Sequence, residues 1–583
     1  MCGIIGYVGY KNANKILLEG IRRLEYRGYD SCGGCFVSNG KLVIKKDVGK
    51  VEEVHKKLNL LKPNSTIGLM HVRWATHGGV TKENAHPHYD CEEKIAIVHN
   101  GIIENYQQLK KSLIKKGHKF RSETDSEIVA HLIEEFNKKL DFESACKKAF
   151  SLFKGSFAIL AINKDERKII GIRKDSPLVV GKNEKECFAA SDIYALLPFT
   201  KNFIFLYNYD FVVLEDGKIK IENLKEGKVE RKLERIEIDS KLYKKGDFHH
   251  FMIKEILEQY SVFEKAFNQK EEKIKRFIKE IKKADRIFLV GAGTSFHACL
   301  AASYLFAKAG TSTKAVIASE FENLLDLVDK KTLIIAVSQS GETADALNAV
   351  RKAKQKGAKI FSVVNVPYTS LTRESDDYIL MNAGFEIGVA ATKTYIAELA
   401  VFLAIYSKLL NKKINSNEIK AKILDLVSRS RREYVEKVAE LVKDKEHIFL
   451  IGRGLQYVTA CEGALKIKEI SYIHAEAFAG GEIKHGTIAL IEKGTPCIVF
   501  VGGDDEKQIL SNAEELKARG GFIIGVAEKN QKVFDIWIKT PQDGEASLIY
   551  QIIPIQLLAY QLALLKGYDP DHPRSLSKSL TIP

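Results

Sequence analysis

Hydrophobic positions over the first 235 residues come in short runs separated by polar turns. The run that follows Cys2, with Ile4 and Ile5, reads as a strand. The spacing of Leu17, Ile21 and Leu24 then predicts one apolar face of an amphipathic helix. Further strand-like runs cover Thr66 to His71, Ile95 to His99, Phe157 to Ile162 and Phe211 to Leu214, the last leading into an Asp216-Gly217 turn. Beyond that turn the chain is charged and poor in turn residues as far as the Lys241 to Asp247 stretch, which reads as a linker.

The remainder repeats itself. Ile287-Phe-Leu-Val-Gly-Ala-Gly293 matches Ile448-Phe-Leu-Ile-Gly-Arg-Gly454 at an offset of 161 residues (448 − 287), with Phe296 against Tyr457. The runs beginning at Thr332 and Thr495, like the glycines Gly357 and Gly520, stand 163 apart (495 − 332). Two βαβ domains of one kind therefore stand in tandem. Apolar strands that end in glycine turns and open helices imply parallel sheets covered on both faces, with ligands at the carboxyl ends of the strands. The division expected is a first domain over 1–235, a linker and leading helix over 236–275, repeat domains over 276–416 and 440–573, and a tail over 574–583.

Composition narrows the class. The 583 residues are 45% apolar and 28% charged, as in a globular protein of several domains. No basic segment leads into an apolar one at the N-terminus. The apolar stretch Leu548 to Leu565 is interrupted by Gln551, Pro554, Gln556 and Gln561, so neither a signal peptide nor a membrane span is expected. Nine scattered cysteines suit reduced thiols and a cytoplasmic location. Cys32 and Cys35 form the one close pair, with no second pair to complete a metal site. The net charge of +15 is spread over many segments, which argues against nucleic acid and is compatible with anionic substrates such as sugar phosphates.

Cys2 follows the initiator methionine, so removal of Met1 would leave a thiol and a free α-amine on one residue, a self-activated nucleophile. The plain alternative is a small residue ahead of a buried strand. Polar clusters follow at strand ends: Arg73-Trp-Ala-Thr-His77, Asn84-Ala-His-Pro-His88, His99-Asn-Gly-Ile-Ile-Glu-Asn105 and Ser122-Glu-Thr-Asp125. Acyl transfer to a cysteine needs donors for a tetrahedral oxyanion, and Asn100 with the Gly101 amide fits that need. An α-amino-acid substrate needs an arginine for its carboxylate and an acid for its ammonium, roles open to Arg73 and Asp125. Against this, His86, His88 and His99 can be core histidines and Asn100-Gly101 a hairpin turn. No carboxylate or thiol completes a ligand spacing with those histidines, so no metal is expected.

In the first repeat the strand Leu333 to Val337 runs into Ser338-Gln-Ser-Gly-Glu-Thr343 and then a helical stretch through Leu347 and Val350. Hydroxyls and backbone amides at a helix N-terminus bind phosphate, although the same residues can simply cap the helix. Thr294 and Ser295 add hydroxyls at the neighbouring turn. The third glycine of a dinucleotide fingerprint would fall at Phe296, so no cofactor is expected. The second repeat has Gly502-Gly-Asp-Asp505 in place of the hydroxyl loop and so is expected to lack a phosphate site. Its own polar set is Glu462, Lys466 and Glu469 on one helical face, either an acid and base beside a ligand or a surface ion-pair ladder. His485 lies in a glycine-flanked loop, and Lys578 closes the tail run Asp571-His-Pro-Arg-Ser-Leu-Ser-Lys578.

Cys2, Arg27-Gly-Tyr-Asp30 and the clusters around Arg73, Asn100 and Asp125 resemble the class II glutamine amidotransferases, whose glutaminase domain is an N-terminal-nucleophile αββα sandwich. From end to end, the order of glutaminase motifs, linker, tandem sugar isomerase (SIS) repeats and terminal Arg574-Ser-Leu-Ser-Lys578 resembles the glutamine:fructose-6-phosphate aminotransferase family. The resemblance implies a multidomain α/β chain, the αββα sandwich followed by two parallel-sheet αβα SIS domains. Its activity would be glutamine-dependent conversion of fructose 6-phosphate to glucosamine 6-phosphate and glutamate, opening the route to UDP-N-acetylglucosamine. It further implies Cys2 as nucleophile, Asn100 and Gly101 as oxyanion hole, and glutamine contacts at Arg73, Thr76, His77 and Asp125. Sugar-phosphate contacts would come from Thr294, Ser295, Ser338, Gln339, Ser340, Thr343, Val389 and Lys466. Lys578 would form a Schiff base, Glu469 move the proton between C1 and C2, and His485 assist ring opening. Trp74 would gate ammonia. In the family the histidine loop serves a neighbouring subunit's site, which implies a homodimer.

The chain departs from the family pattern at Ala292 and at Ala391, where a hydroxyl that could touch sugar is missing, and at Cys32 and Cys35, where small or apolar residues are usual. The amidophosphoribosyltransferase and asparagine synthetase types share such a glutaminase domain, but neither an acidic phosphoribosyl-pyrophosphate loop nor an ATP-binding Ser-Gly-Gly-x-Asp-Ser is present. A sugar-phosphate sensor without catalysis is the alternative of another class, and the joint presence of Cys2, Glu469, His485 and Lys578 argues against it.

Overall fold

A computed structural model describes residues 2–237 and 245–579. Met1, residues 238–244 near the start of the expected linker and the last four residues of the tail lie outside the described residues. The chain divides into two compact units, one within residues 1–241 and the other within 242–578.

The first unit is built on two antiparallel sheets. The central strands of one are Gly3–Val8, flanked by Cys187–Ala190 and Ile67–Arg73. The other runs through Asp210–Glu215, Glu166–Lys174, Gly155–Asn163 and Ile95–Ile103 to an edge strand, His88–Tyr89. The continuous apolar runs in the second sheet follow from burial on both faces. Ala96, Val98, Ala158 and Leu160 meet Ile4 and Leu69 of the facing sheet. Their neighbours Ile95, Ile97, Phe157 and Ile159 pack under the helices Glu127–Asn137 and Phe142–Phe150. The helix Ala13–Arg22 covers the first sheet with its predicted face: Leu17 and Ile21 are fully buried, as is Leu24 just past its end. The layers are αββα, as the resemblance implied.

The charged stretch after Asp216 is not linker throughout. Lys218–Asn223 is a strand paired with Asp210–Glu215, and Glu234–Arg235 pairs with Asn202 and Phe203. Its lysines alternate with Ile219 and Ile221, which pack against the core between the sheets, so the charge is that of the strand's solvent face.

The second unit opens with the helices Phe251–Leu257, Gln259–Phe267 and Glu271–Lys283; Ile274, Phe277 and Ile281 of the last are buried. Two five-stranded, all-parallel sheets follow, both with the strand order 2-1-3-4-5. The repeat is geometric as well as sequential. Arg286–Gly291 and His447–Gly452 are matching first strands, and the glycines that follow them, Gly293 and Gly454, hold φ at 54° and 53° before each helix. The helix Ser547–Leu565 is long and apolar enough to cross a membrane, but 83% of its most apolar window is buried inside this unit. Its glutamines serve the core: Gln551 Nε2 donates to Val501 O (2.7 Å), and Gln556 Oε1 accepts from Gln259 Nε2 (2.5 Å).

Candidate functional site

In the first unit Cys2 precedes the central strand and lies beside the end of Ile67–Arg73, because Gly3 is in register with Val72. Trp74 N–H points at the Cys2 Sγ from 3.3 Å. Burial pushes the thiol up, opposed by that N–H and by the Arg73 charge. Asn100 and Gly101 sit within the strand Ile95–Ile103, so they are not a hairpin turn. The Asn100 amide is held in place: Nδ2 donates to Cys2 O (3.0 Å) and Ser191 Oγ (2.9 Å), and Oδ1 is 3.1 Å from His71 Nε2. Burial holds His71 at about 3, so the ring is neutral, and Nε2, facing two oxygens, carries the proton. Gly101 has φ +116°, and a Cβ there would lie 2.0 Å from Ser156 O, so only glycine fits.

The loop after Arg73 is tied down from both sides. The guanidinium donates to His77 O (2.6 Å), Gly78 O (3.1 Å) and Gly79 O (3.0 Å), while Asp30 Oδ2 accepts from Ala75 N (2.8 Å). Trp74 meets Tyr29 edge-on at 5.6 Å, and His77 meets Tyr106 at 5.8 Å. Thr76 is exposed on the loop, whereas Asp125 is buried and accepts from Ile103 N (2.7 Å). His86, His88 and His99 are buried, and burial lowers all three. His88 Nε2 reaches Thr124 Oγ1 (3.1 Å) and His99 Nδ1 reaches Ser126 Oγ (2.8 Å), the pattern of core histidines.

In the second unit a solvent-open cavity lies at the carboxyl ends of the first parallel sheet, where ligands of such sheets bind. Thr294, Ser295, Ser338, Gln339, Ser340, Thr343, Val389, Glu469 and Lys578 all line it, as do Ala292 and Ala391. The strand Thr332–Ser338 delivers the hydroxyl loop to the helix Ala344–Gln355, which Thr343 precedes. Ser338 Oγ accepts from Gly341 N (3.0 Å) and lies 3.2 Å from Thr343 Oγ1, and Ser340 Oγ accepts from Glu342 N (3.2 Å). The hydroxyls are thus oriented at the positive end of a helix.

The Glu462, Lys466 and Glu469 ladder is not on the surface. Glu462 and Lys466 are fully buried on the helix Leu455–Ser471. Lys466 Nζ forms an ion pair with Glu469 Oε2 (2.6 Å) and donates to Thr294 Oγ1 (3.1 Å), placing it one hydrogen bond behind the cavity wall. Burial alone would lower this lysine, but Glu462 and Glu469 reverse the balance and raise it, so it is an ammonium. Glu462 also accepts from Thr294 Oγ1 (3.1 Å) and contacts His297 Nδ1 at 2.7 Å.

Lys578 pairs with Glu386, which the sequence did not single out. Glu386 also accepts from Thr394 Oγ1 (2.6 Å) and from the N–H groups of Thr392 (2.9 Å) and Thr394 (3.0 Å). Burial would raise this carboxyl, yet Lys578 and the Thr394 bonds hold it below its usual range. Two further buried acids surround the tail. Glu398 accepts from Ser295 Oγ (2.7 Å), and Glu255 accepts from Ile387 N (2.6 Å). Burial pushes each up to about 8, with neighbouring acids adding to it. These three glutamates are single acids in otherwise apolar or mixed stretches, with no spacing that marks them. His485 is exposed and is not brought to the cavity lining of its own chain.

A model of the SIS domain matches residues 280–408 and 440–566, and a model of a glutamine amidotransferase domain matches 71–198. Fold and sites together define a two-part enzyme that joins a glutamine amidotransferase domain to a pair of SIS domains. Over 100% of both sequences the chain is 44% identical to the glutamine–fructose-6-phosphate aminotransferase (isomerizing) of Pyrococcus horikoshii and 43% identical to that of Thermococcus kodakarensis. It is 40% identical to the enzyme of that name from Clostridium acetobutylicum, again over the whole of both sequences. The C-terminal domain of glucosamine-fructose-6-phosphate aminotransferase from Francisella tularensis superposes with a TM-score of 0.53 at 34% identity, covering 56% of this chain and 100% of that one. The chain belongs to the glutamine–fructose-6-phosphate aminotransferase (isomerizing) family.

Proposed function

We propose that the protein transfers the amide nitrogen of glutamine to fructose 6-phosphate and isomerises the product, yielding glucosamine 6-phosphate and glutamate. The observation that carries this reading is the convergence of an amine, an acid and a hydroxyl-lined helix N-terminus in one cavity: Lys578, Glu469 and the Ser338 to Thr343 loop. In the first unit the Cys2 Sγ attacks the glutamine amide carbon, and the Gly101 N–H with a re-aimed Asn100 amide steadies the oxyanion. Collapse releases ammonia and leaves a thioester that water hydrolyses to glutamate. Arg73, Thr76, His77 and Asp125 hold the amino acid, and Trp74 gates the ammonia.

In the second unit the phosphate sits on Ser338, Gln339, Ser340 and Thr343, with Thr294, Ser295 and Val389 along the sugar. Lys578 gives its ammonium proton to Glu386 and condenses with the C2 ketone, expelling water. Ammonia then displaces the lysine from C2. Glu469 removes a proton from C1 and returns it at C2, giving the 2-amino aldose, while Lys466 steadies the negative charge that develops. His485, exposed in its own chain, opens the sugar ring in a partner's cavity, which makes the active form a homodimer. A cytoplasmic location fits nine free cysteines. The test is product analysis with amide-¹⁵N glutamine and fructose 6-phosphate: labelled glucosamine 6-phosphate and an equal amount of glutamate are expected. A sugar-phosphate sensor would give neither product, and an aminated product other than the 2-amino aldose would point to another sugar-phosphate amidotransferase.

A further inference from the structure

The first unit holds a group of side chains that glutamine chemistry does not use. Cys91 follows the edge strand His88–Tyr89, His118 follows the helix Tyr106–Lys115, and His131 and Glu134 are one turn apart on Glu127–Asn137. One ligand atom from each, Cys91 Sγ, His118 Nδ1, His131 Nδ1 and a Glu134 carboxylate oxygen, converge so that all lie within 4.8 Å of one another. Sγ stands 3.8 Å from His118 Nδ1 and 3.6 Å from His131 Nδ1; Glu134 Oε2 stands 2.9 Å and 3.2 Å from the same two nitrogens.

Those separations are close to the edges of a metal tetrahedron. Bonds of about 2.3 Å to sulfur and about 2.0–2.1 Å to nitrogen and oxygen place sulfur and nitrogen about 3.5 Å apart, and nitrogen and oxygen about 3.3 Å apart. A closure of up to about 1.5 Å across the widest pair, from 4.8 Å to an edge of about 3.3–3.5 Å, completes the figure. The surroundings point the same way. Each imidazole has a carboxylate near its far nitrogen, Glu135 at 3.3 Å from His118 Nε2 and Glu127 at 3.5 Å from His131 Nε2, the kind of outer partner that orients a ligating ring, while each Nδ1 donates to Glu134 Oε2, a proton that a metal would displace. Lys119 N–H points at Sγ from 3.5 Å, as backbone amides do toward a thiolate. His118 and His131 are buried, whereas Cys91 and Glu134 are partly exposed and leave an approach from solvent.

We propose that Cys91, His118, His131 and Glu134 form a structural zinc site. A thiolate with two imidazoles selects zinc over the oxygen-seeking magnesium and calcium, and the four ligands close the tetrahedron with no position for substrate. On binding, the Cys91 thiol and any Nδ1 proton pass to solvent, and the two negative ligands balance the ion. The metal ties the turn after an edge strand and the loop at 118 to the helix that covers the outer face of that sheet.

The test uses untagged full-length protein expressed with zinc, dialysed, and assayed by elemental mass spectrometry. About one zinc per chain is expected, falling to none in Cys91→Ser. Cobalt substituted for zinc should show a sulfur-to-cobalt charge-transfer band that Cys91→Ser abolishes. Chelation should lower the unfolding temperature of the wild type and leave that of Cys91→Ser unmoved. Zinc-free wild type after expression with zinc, or zinc and the cobalt band retained by Cys91→Ser, overturns the proposal. Because that substitution exchanges only sulfur for oxygen, loss of metal with an unchanged circular dichroism spectrum cannot be ascribed to misfolding.

Discussion

Lys578 and Glu386 form an ion pair with side-chain exposures of 4% and 0%, so Lys578 is held by a charge contact from which water is excluded. Such a pair is costly to break on one side only, because the remaining charge is left buried without a partner, at about 3–5 kcal/mol. Glu386→Gln should therefore release the tail from the cavity. Hydrogen exchange over residues 574–579 is expected to speed up in the variant, and unchanged protection would show that the tail is held by something else.

The same pair sets the chemistry assigned to Lys578. Borohydride reduction in the presence of fructose 6-phosphate should add one sugar phosphate to the peptide containing Lys578, and Lys578→Arg should lose both the adduct and glucosamine 6-phosphate formation. Arginine keeps the charge for Glu386 but does not form the imine. An adduct on Lys466 would reverse the two lysines' roles. Lys578 lines the cavity and pairs with one acid, whereas Lys466 lies behind the wall and is held between two, Glu462 and Glu469.

Cys2→Ala is expected to abolish glutamine hydrolysis and leave fructose 6-phosphate binding, measured by calorimetry, unchanged. The two sites belong to separate compact units. Intact mass should show Met1 absent in the active protein. Full hydrolysis by protein that retains Met1 would rule out an N-terminal amine as the base.

Thr343 stands ahead of the helix Ala344–Gln355 with its hydroxyl 3.2 Å from that of Ser338. Its removal should weaken fructose 6-phosphate binding by about 1–3 kcal/mol, the worth of a hydrogen bond to a charged group. Equal weakening of fructose binding without the phosphate would place Thr343 on the sugar instead.

Glu398 makes one unit's stability depend on pH. Burial holds its carboxyl at about 8, against the usual 4.5, so the folded protein keeps a proton that the unfolded chain has lost between those values. Its contribution is full below the lower value and is lost as pH rises through the upper one, at about 1.4 kcal/mol per pH unit. Glu398→Gln should remove that slope. In denaturant unfolding followed from pH 5 to 8, the variant's stability relative to wild type should climb with pH. A constant difference would mean that Glu398 is ionised throughout.

The sequence by itself determined the strands, the tandem repeat and the main polar motifs, because these are local. Doubly buried strands read as unbroken apolar runs, Gly293 and Gly454 are required where a strand turns into a helix, and the hydroxyls of Ser338, Ser340 and Thr343 are neighbours in the chain. The strand Lys218–Asn223 read as linker because solvent on one face gives it the composition of a loop. Only the tertiary structure decided whether Glu462 and Lys466 were surface or core, since their helical spacing is the same in either place and burial comes from the surrounding elements. It alone brought Glu386 to Lys578 across 192 residues, and gathered Cys91, His118, His131 and Glu134 from one turn, one loop and one helix. A spacing pattern records what neighbours on one element can share. Charges and ligands that converge from separate elements leave no period in the chain.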